Sequence, residues 1–395
     1  MNFEKYQKLF RKEITNLNLH LRGITATLAG LLCLGGNLLA QHRPQHAVAR
    51  DSSGTFVPGN AGLNITKAFW DRFSKGYVSN CLAWHHSPSN PVLPPSGDTW
   101  QKRWTANPDL LNFDGRTLLY YRGDGPASAD DPSYHDQIGA AELTGIAPGT
   151  ISYTTLNNRQ PIVRIGKKGS FDDGMVLDPT AIDFHSEVFL YYSAIGTSGY
   201  HIGLAVSHDG VHFKKLGPVI EGRVPSAIVH GDTVYLLFQR LVDLKGRGPD
   251  VQIKTPKVYE IYLARSTDGI HFDEVQSQPV FKGEGTDWDA LSITTARVSY
   301  SDGWYYLLYG GSAYLADEPD YFGLARSRDL IHWERHPGNP IFGAGARGEP
   351  DGGAIWFPAF IDAGNYFAIL YEGSRGKYSW DLSSTICMSW ISKSP

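Results

Sequence analysis

The stretch "NPDLLNFDGRTLLYYRGDG" (residues 107–125) reads as two short β-strands joined by an Asp-Gly turn. Asp-Gly between two apolar runs predicts a β-hairpin, because glycine tolerates the positive φ of a tight turn. An unusual feature is that Pro108 and Asp109 stand at the start of the first strand. The stretch "LDPTAIDFHSEVFLYYSA" (177–194) repeats the combination of an acid and a proline, here beginning with Asp178. The chain therefore contains an internal repeat.

Five copies of this hairpin follow one another along the chain. Their second strands are "TLLYYRG" (117–123), "VFLYYSA" (188–194), "VYLLFQR" (234–240), "WYYLLYGG" (304–311) and "YFAILYEG" (366–373). A third strand follows each hairpin, and in three copies a turn such as "HDGVHF" leads into a fourth strand. Four-stranded units repeated in this way predict an all-β fold, a five-bladed β-propeller of four-stranded antiparallel blades.

The two ends of the repeat indicate how the propeller closes. The last copy stops at its third strand, whereas residues 76–93 precede the first hairpin without a blade of their own. We expect this N-terminal strand to complete the last blade, because the pairing hides both sheet edges. Cys81 and Cys387 would then lie on neighbouring strands, where a disulfide and two buried thiols are both open. The predicted parts are an N-terminal extension at 41–75 and the propeller at 76–395.

The beginning of the chain differs in composition from the rest. Basic residues from Lys5 to Arg22 precede the apolar run "ITATLAGLLCLGGNLLA" (24–40). This order is typical of a cleavable signal peptide, here residues 1–40, and predicts a secreted or periplasmic protein with no transmembrane segment in the mature chain. A membrane anchor is the alternative, but the run is short and contains consecutive glycines. The formal net charge of −4 argues against a nucleic-acid partner.

Alignment of the five hairpins separates repeated residues from unique ones. The equivalent points at the start of the first strands are Pro108, Pro179, Pro225, Ala296 and Pro358, and the residues before them are Asn107, Asp178, Val224, Thr295 and Phe357. The innermost strands of a propeller begin at the central channel, so these residues should converge there. Only Asp178 is an acid directly before its proline, and only Asp109 is an acid directly after one. Both are candidates for chemistry, since paired carboxylates are costly unless function needs them.

Three other acids recur at one position in the repeat. Asp172, Asp289 and Asp351 each precede the aligned residue by seven positions. The repetition favours a structural role in the loop, while a place in the channel stays open.

The blades with "DP" or "NPD" opening a strand and "DGRTLLYY" following it resemble glycoside hydrolase family 43 and its relatives, families 32, 117 and the family 130 mannoside phosphorylases. The resemblance covers residues 76–395. It implies an aspartate of blade 1 as base, an aspartate of blade 2 that orients and tunes the pKa, and a glutamate of blade 3 as acid. Asp178 matches the blade-2 residue. The blade-1 position holds Asn107, so Asp109 takes the role of base only by a displacement of two residues.

Blade 3 departs from the family pattern, because Arg223 in "EGRVPSAI" (221–228) occupies the position of the acid. Glu349 in the loop before the last hairpin is our first candidate for the acid, since partial burial there would raise its pKa. Glu260, at the start of the third strand of blade 3, is the second. His201, at the start of the third strand of blade 2, is the third candidate. The resemblance to family 117 implies this role, since relatives in that family use a histidine as the acid.

Further residues are expected to bind the substrate around the channel. Bulky aromatics such as Trp288 suit sugar faces, although a tryptophan can also belong to the core. Several arginines indicate an acidic or sulfated sugar, with ordinary ion pairs as the alternative. The expected substrate-binding residues are Asn107, Arg122, Asp124, Arg223, Asp289, Trp288, Asp351 and Arg375.

The predicted function is that of a secreted glycoside hydrolase that removes a terminal or side-chain sugar from a polysaccharide or oligosaccharide by an inverting mechanism. A glycoside phosphorylase and a non-catalytic carbohydrate-binding propeller are the alternatives. The sequence contains no zinc-ligand spacing, phosphate loop or nucleophilic serine motif. We expect no cofactor, and a calcium ion in the channel has no support in the sequence. The oligomeric state stays open.

Overall fold

The computed structural model describes residues 62–74, 77–97, 99–127, 131–243, 257–284, 287–313, 317, 319–376 and 383–394. The predicted signal peptide lies outside these residues. No helix in the described ranges is long and apolar enough to span a membrane.

The strands form five antiparallel sheets in chain order. The described part of the chain begins with helices α1 (Lys67–Asp71) and α2 (Tyr77–Leu82) and strand β1 (His85–His86). Blade 1 contains β2 (Trp104–Phe113), β3 (Arg116–Pro126), β4 (Tyr134–Ala147) and β5 (Thr150–Thr155). Blade 2 contains β6 (Met175–Phe184), β7 (Glu187–Gly196), β8 (Gly199–Ser207) and β9 (Lys214–Glu221). Blade 3 contains β10 (Arg223–His230), β11 (Thr233–Asp243), β12 (Lys257–Ser266) and β13 (Asp273–Glu274).

Blade 4 contains β14 (Ser292–Ser301), β15 (Trp304–Ser312), β16 (Tyr321–Ser327) and β17 (Trp333–Arg335), with β18 (Phe342–Gly343) also paired to β16. Blade 5 contains β19 (Ala354–Asp362), β20 (Tyr366–Ser374), β21 (Thr385–Ser392) and the early strand β1. Two short 3-10 helices, Thr99–Gln101 and Asn157–Arg159, lie in blade connections.

The first strand of each hairpin is the inner strand of its blade. β2, β6, β10, β14 and β19 contact one another in sequence, and β19 contacts β2 to complete the circle. Apolar side chains of neighbouring blades meet between the sheets, as where Leu118 of blade 1 shares a cluster with Val176 and Leu190 of blade 2. The predicted five-bladed propeller is confirmed.

The N-terminal strand closes the propeller as predicted. His85 pairs with Trp390 and His86 with Ser389, which adds β1 to the edge of β21. Cys81, however, lies in α2 rather than on a strand, and its Sγ donates to the carbonyl of Pro340 (3.6 Å), while Cys387 is buried on β21. The expected place of Cys81 on a strand was wrong, and of the two open alternatives the structure has two buried thiols rather than a disulfide.

A segment of the N-terminal extension covers one end of the channel. The backbone N–H of Ile65 donates to Ser299 Oγ (3.1 Å), and Ser301 Oγ donates to the carbonyl of Ile65 (2.8 Å). Phe69 of α1 is fully buried against Phe360 and Phe367 of blade 5. The extension thus joins blades 4 and 5 at this end.

Candidate functional site

Each inner strand contains a β-bulge at the aligned residues. The register shifts between Ala106 and Asp109 in blade 1, and equivalent shifts occur in the other four blades. The inner strands begin before the prolines, so the prediction that each proline opens its strand was wrong. The bulge removes the proline from the regular ladder, so no ladder hydrogen bond is lost. Four residues before a proline have a φ of 49–52°: Asn107, Asp178, Val224 and Phe357.

A set of five residues on the second strands lies opposite these bulges. We call it the second-strand set, and its members are Arg122, Ser193, Gln239, Gly310 and Glu372. Several members reach the bulge of the next blade. Ser193 Oγ accepts from the backbone N–H of Val224 (2.7 Å), and Asn107 Nδ2 donates to Glu372 Oε2 (2.9 Å). The set therefore surrounds one end of the channel, which we call the bulge end.

Glu372 is a residue that the sequence analysis missed. The five members of the second-strand set differ from blade to blade, whereas the aromatic or apolar residues before them repeat. Asp178 was selected because it differs from the equivalent residues of the other blades. The same criterion, applied to the second strands, would also have selected Glu372.

Asp178 and Glu372 bring two carboxyl groups to the bulge end. Both are buried, with 2% and 4% exposure. Glu372 accepts hydrogen bonds from Ser384 Oγ (2.6 Å) and from Asn107, and Arg122 Nη2 lies 3.5 Å from its Oε1. Asp178 Oδ2 has no hydrogen-bond partner within the described ranges. An unpaired buried carboxylate oxygen is costly, and such atoms mark candidate functional sites.

Burial sets the protonation behaviour of the two carboxyl groups. Burial raises the pKa of Asp178, while the charges of Arg223 and Arg122 offset part of the increase. Burial also raises the pKa of Glu372, offset by Arg122 and Ser384 and reinforced by the charge of Asp178. The two acids therefore influence each other, and Arg122 interacts with both.

The arginines at this end are matched by acids. Arg122 Nε lies 3.4 Å from Asp136 Oδ1, and Arg103 Nη2 donates to Asp124 Oδ2 (2.7 Å). Burial raises the pKa of Asp124 to about 6. This pairing favours the ordinary ion-pair interpretation of Arg122 and Asp124.

Arg223 has aromatic neighbours. It donates from Nη1 to Tyr259 OH (3.1 Å), and its guanidinium lies 4.9 Å from the Tyr259 ring and 5.4 Å from the Tyr200 ring. Its charge also interacts with Asp178. The residue that replaces the expected blade-3 acid thus offsets part of the increase that burial causes in the pKa of Asp178.

Asp109 lies on the other side of the bulge from Asn107. Its Oδ2 accepts from the backbone N–H of Ala181 (2.8 Å), and its Oδ1 is 3.8 Å from Arg297 Nε. Burial raises the pKa of Asp109, and Arg297 partly offsets the increase. Residues 107 and 109 would share a face of a regular strand, but the bulge breaks the alternation of side chains.

The contact between Asp109 and the next blade is one of a series. Thr180 Oγ1 accepts from Ala227 (3.4 Å), and Ser226 Oγ accepts from Val298 (3.0 Å), each from a backbone N–H. The position after the proline therefore links neighbouring inner strands. Asp109 also lines a cavity of about 600 Å³ that extends from Arg297 toward the N-terminal segment.

Arg297 separates this cavity from the bulge end. Its Nη1 donates to the carbonyl of Pro225 (3.1 Å), and its Nη2 donates to those of Pro179 (3.0 Å) and Pro108 (3.4 Å). One guanidinium thus ties the inner strands of blades 1, 2 and 3 to blade 4. Its charge acts on both Asp109 and Asp178.

The three acid candidates from the sequence lie in different surroundings. Glu349 is exposed in a turn, so its expected partial burial was wrong. Glu260 is buried on β12, where Tyr262 OH lies 3.5 Å from its Oε2. His201 Nε2 lies 3.1 Å from Ser198 Oγ, and the imidazole contacts Phe171.

The recurring acids hold their loops to the second strands. Asp289 accepts from Tyr309 OH (2.9 Å) and Arg335 Nε (3.0 Å), and Asp351 accepts from Tyr371 OH (2.5 Å) beside His86. Asp172 has the equivalent contacts with a tyrosine and a lysine. The geometry agrees with the structural interpretation of this position.

Of the expected substrate-binding residues, Trp288 takes the core alternative, whereas the role of Arg375 stays a prediction. Trp288 packs against Gly311 and Gly323, where a Cβ would come within 2.8 Å of its ring. It is 8% exposed and belongs to the core of blade 4. Arg375 is exposed just after β20.

Taken together, the fold and this cluster define a five-bladed β-propeller with a buried site of carboxyl and guanidinium groups at one end of its channel. Within the described ranges, no group of three or more His, Cys, Asp or Glu side chains is arranged to bind a metal ion. No family model and no curated protein matches the sequence.

Solved structures with this fold include carbohydrate-active enzymes. The β-1,2-mannobiose phosphorylase from Listeria innocua aligns with a TM-score of 0.59 at 13% identity, over 79% of this chain and 97% of that chain. A structure from the family 130 of mannoside phosphorylases, described as containing glycoside hydrolases that target β-1,2-mannosidic linkages in Candida mannan, aligns at 0.57 and 14%, over 78% and 93%. A thermostable family 43 glycoside hydrolase aligns at 0.53 and 18%, over 76% and 91%. At these identities the likeness shows a shared fold.

Proposed function

We propose that this chain is an enzyme that cleaves a glycosidic bond at the bulge end of its channel. The observation that carries the proposal is the pair of buried carboxyl groups, Asp178 and Glu372, which share Arg122 and both have a raised pKa. Glycosidic cleavage needs one group to protonate the departing oxygen and one carboxylate to activate water or attack the sugar. Two coupled acids in one buried site are suited to this division of roles.

The charges around each acid suggest which role it takes. Asp178 interacts with Arg223, Arg122 and Arg297, which favour its ionised form, so we assign it the role of base. Glu372 has Arg122 on one side, but the charges of Asp178 and Asp317 raise its pKa further, so we assign it the role of acid. Asn107 and Ser384 fix the orientation of the Glu372 carboxyl group.

The mechanism, the kind of substrate and the location of the protein are further parts of our proposal. We propose hydrolysis with inversion, in which the two carboxyl groups stand about 6.5–9.5 Å apart to admit a water molecule. We also propose that the substrate is a terminal or side-chain sugar and that the protein is secreted or periplasmic, on the basis of residues 1–40.

Phosphorolysis is the second candidate. Arg122 and Arg223 lie at the site, and one of the structures with this fold is a phosphorylase. Guanidinium groups bind phosphate well, so phosphate could replace the attacking water.

The test is product release from a panel of aryl glycosides and oligosaccharides, including β-1,2-mannobiose, with and without inorganic phosphate. Free reducing sugar without phosphate supports hydrolysis, whereas a sugar phosphate formed only with phosphate supports the second candidate. Asp178→Asn should reduce either product by about 10²–10⁴-fold, and Glu372→Gln should reduce it most on substrates with a poor leaving group. Asp114→Asn, in an exposed turn, is the control. Sugar binding without product under both conditions would contradict an enzyme and favour a carbohydrate-binding propeller.

A further inference from the structure

Arg297 interrupts the repeat at the position that follows the aligned prolines. In blades 1 to 3 this position holds Asp109, Thr180 and Ser226, and each of these side chains accepts a hydrogen bond from a backbone N–H of the next blade. A guanidinium group has only donors, so an arginine cannot make this link. By the criterion that selected Asp178, a residue that breaks the repeat is a candidate for a role in function.

The guanidinium group of Arg297 reaches the bulges of all the other blades. Its Nη1 donates to the carbonyl of Pro225, and its Nη2 donates to those of Pro108 and Pro179, over 3.0–3.4 Å. In blade 5 the ring of Phe357 lies 5.4 Å from the guanidinium carbon. The side chain is 8% exposed. A planar group with five donors in a rigid fork is suited to fixing several carbonyl groups at once.

The three carbonyl groups lie where the inner strands have no regular ladder. The register shifts pass over Pro108, Pro179 and Pro225. The residues before these prolines, which include Asn107 and Asp178, have a φ of 49–52°. This left-handed conformation is unfavourable for a residue other than glycine, and it persists only where the surrounding structure fixes it. The guanidinium group supplies a fixed point directly after each of these residues.

Asn107 and Asp178 are two residues on which the proposed site depends. Asp178 is the proposed base, and Asn107 Nδ2 donates to the proposed acid, Glu372 (2.9 Å). We infer that Arg297 is a positioning residue of this site, which holds Asn107 and Asp178 in place by binding the carbonyl groups of the prolines that follow them. The inference rests on the proposed function and deepens it, since Arg297 acts through these two side chains and not on the substrate.

The test measures kcat and KM of Arg297→Ala on the substrate that the panel identifies. We expect kcat to fall by about 10²-fold with little change in KM, because a displaced catalytic group slows the chemical step while the substrate still binds. The cavity of about 600 Å³ reaches Arg297, so a guanidinium ion can enter the vacated space. Guanidinium chloride at millimolar concentration, far below denaturing conditions, should restore most of the lost kcat, whereas sodium chloride should not.

Ser226→Ala and Arg297→Lys complete the set of variants. Ser226→Ala removes the hydrogen bond from the backbone N–H of Val298 (3.0 Å) at the equivalent position of blade 3, so it should leave kcat unchanged even if it unfolds at a lower temperature. Arg297→Lys retains a positive charge near Asp109 but lacks the planar fork, so it should fold and still lose kcat. If Arg297→Ala does not fold, kcat and KM of Arg297→Lys decide the inference.

A crystal structure of Arg297→Lys adds a readout that needs no activity. The carboxyl group of Asp178 should move by more than about 0.5 Å, the tolerance within which a catalytic arrangement must be held. Unchanged positions of Asn107 and Asp178, an unchanged kcat, a rise in KM alone, or equal effects of the two salts on Arg297→Ala would each overturn the inference. Absence of product from the unaltered protein would instead contradict the proposed function, and the crystal structure would still decide whether Arg297 positions the two side chains.

Discussion

Asp178 is deeply buried and has an unpaired oxygen. The Asp178→Asn substitution should therefore change both the activity and the stability of the protein. If Asp178 is the base, activity should fall by about 10²–10⁴-fold, the usual contribution of such a group. Its pKa is raised in the folded state, so its ionised form opposes folding. The variant should therefore be more stable than the unaltered protein at neutral pH. That advantage should shrink as the pH falls toward the unfolded value of about 4.

Activity assays and thermal unfolding from pH 3 to 8 check both statements. Full activity in Asp178→Asn would remove Asp178 from the mechanism. A stability difference that stays constant with pH would contradict the raised pKa.

Glu372 and Glu349 are competing candidates for the acid, and their leaving-group dependence separates them. We expect Glu372→Gln to reduce the cleavage of a poor leaving group far more than that of a good one, because only the poor leaving group needs a proton. Glu349 is exposed, so Glu349→Gln should reduce neither rate by more than about 2-fold.

The measurement is a pair of rates for each variant, on an alkyl and a nitrophenyl glycoside of the sugar that the panel identifies. A selective loss in Glu349→Gln would restore our first sequence-based candidate. Equal and small losses in both variants would transfer the role to Glu260 or His201.

At the scale of the structural element, the recurring acids of blades 2, 4 and 5 tie a loop to the second strand of the same blade. Burial tends to raise the pKa of Asp351, but His86 and Tyr371 lower it overall. A lowered pKa in the folded state means that the ionised carboxylate stabilises the protein above the unfolded value of about 4. We expect Asp351→Asn to lose about 1–3 kcal/mol of unfolding free energy at neutral pH.

The difference between the unaltered protein and Asp351→Asn should vanish as the pH falls through the lowered pKa. Chemical denaturation at several pH values measures it. Asp362→Asn is the control, because Asp362 pairs with Lys393 at the surface. It should lose less unfolding free energy than Asp351→Asn. An Asp351→Asn protein as stable as the unaltered one at pH 7 would show that this tie contributes nothing.

At the scale of the whole molecule, the closure of the propeller depends on more than the two-residue strand β1. Phe69 is fully buried among Phe73, Trp84, Phe360 and Phe367, and so fastens α1 to blade 5. We expect Phe69→Ala to lose about 3–5 kcal/mol of unfolding free energy, as large-to-small changes in a core do.

Differential scanning calorimetry on the full chain checks this expectation, with Lys67→Ala, an exposed change in the same helix, as the control. If Phe69→Ala and Lys67→Ala unfold at the same temperature, the N-terminal segment does not stabilise the closed propeller.

The sequence by itself determined the number of blades, their strand order and the closure by an early strand. These features depend on local signals, namely turn residues and runs of apolar residues, and on the repetition of those signals in every blade. The structural role of the recurring acids could be anticipated for the same reason. Asp178 was found because it interrupts the repeat.

Only the tertiary structure decided which side chains meet. Side chains alternate between the two faces of a regular strand, but the bulge between Ala106 and Asp109 placed Asp109 and Asn107 on different sides. Glu372 and Asp178 interact electrostatically because blades 5 and 2 flank blade 1 on opposite sides, although the two residues are far apart in the chain. Cys81 entered the seam on a helix, which no local pattern had indicated. Sequence spacing predicts the elements, but contacts across the channel depend on how five separate sheets pack around one axis.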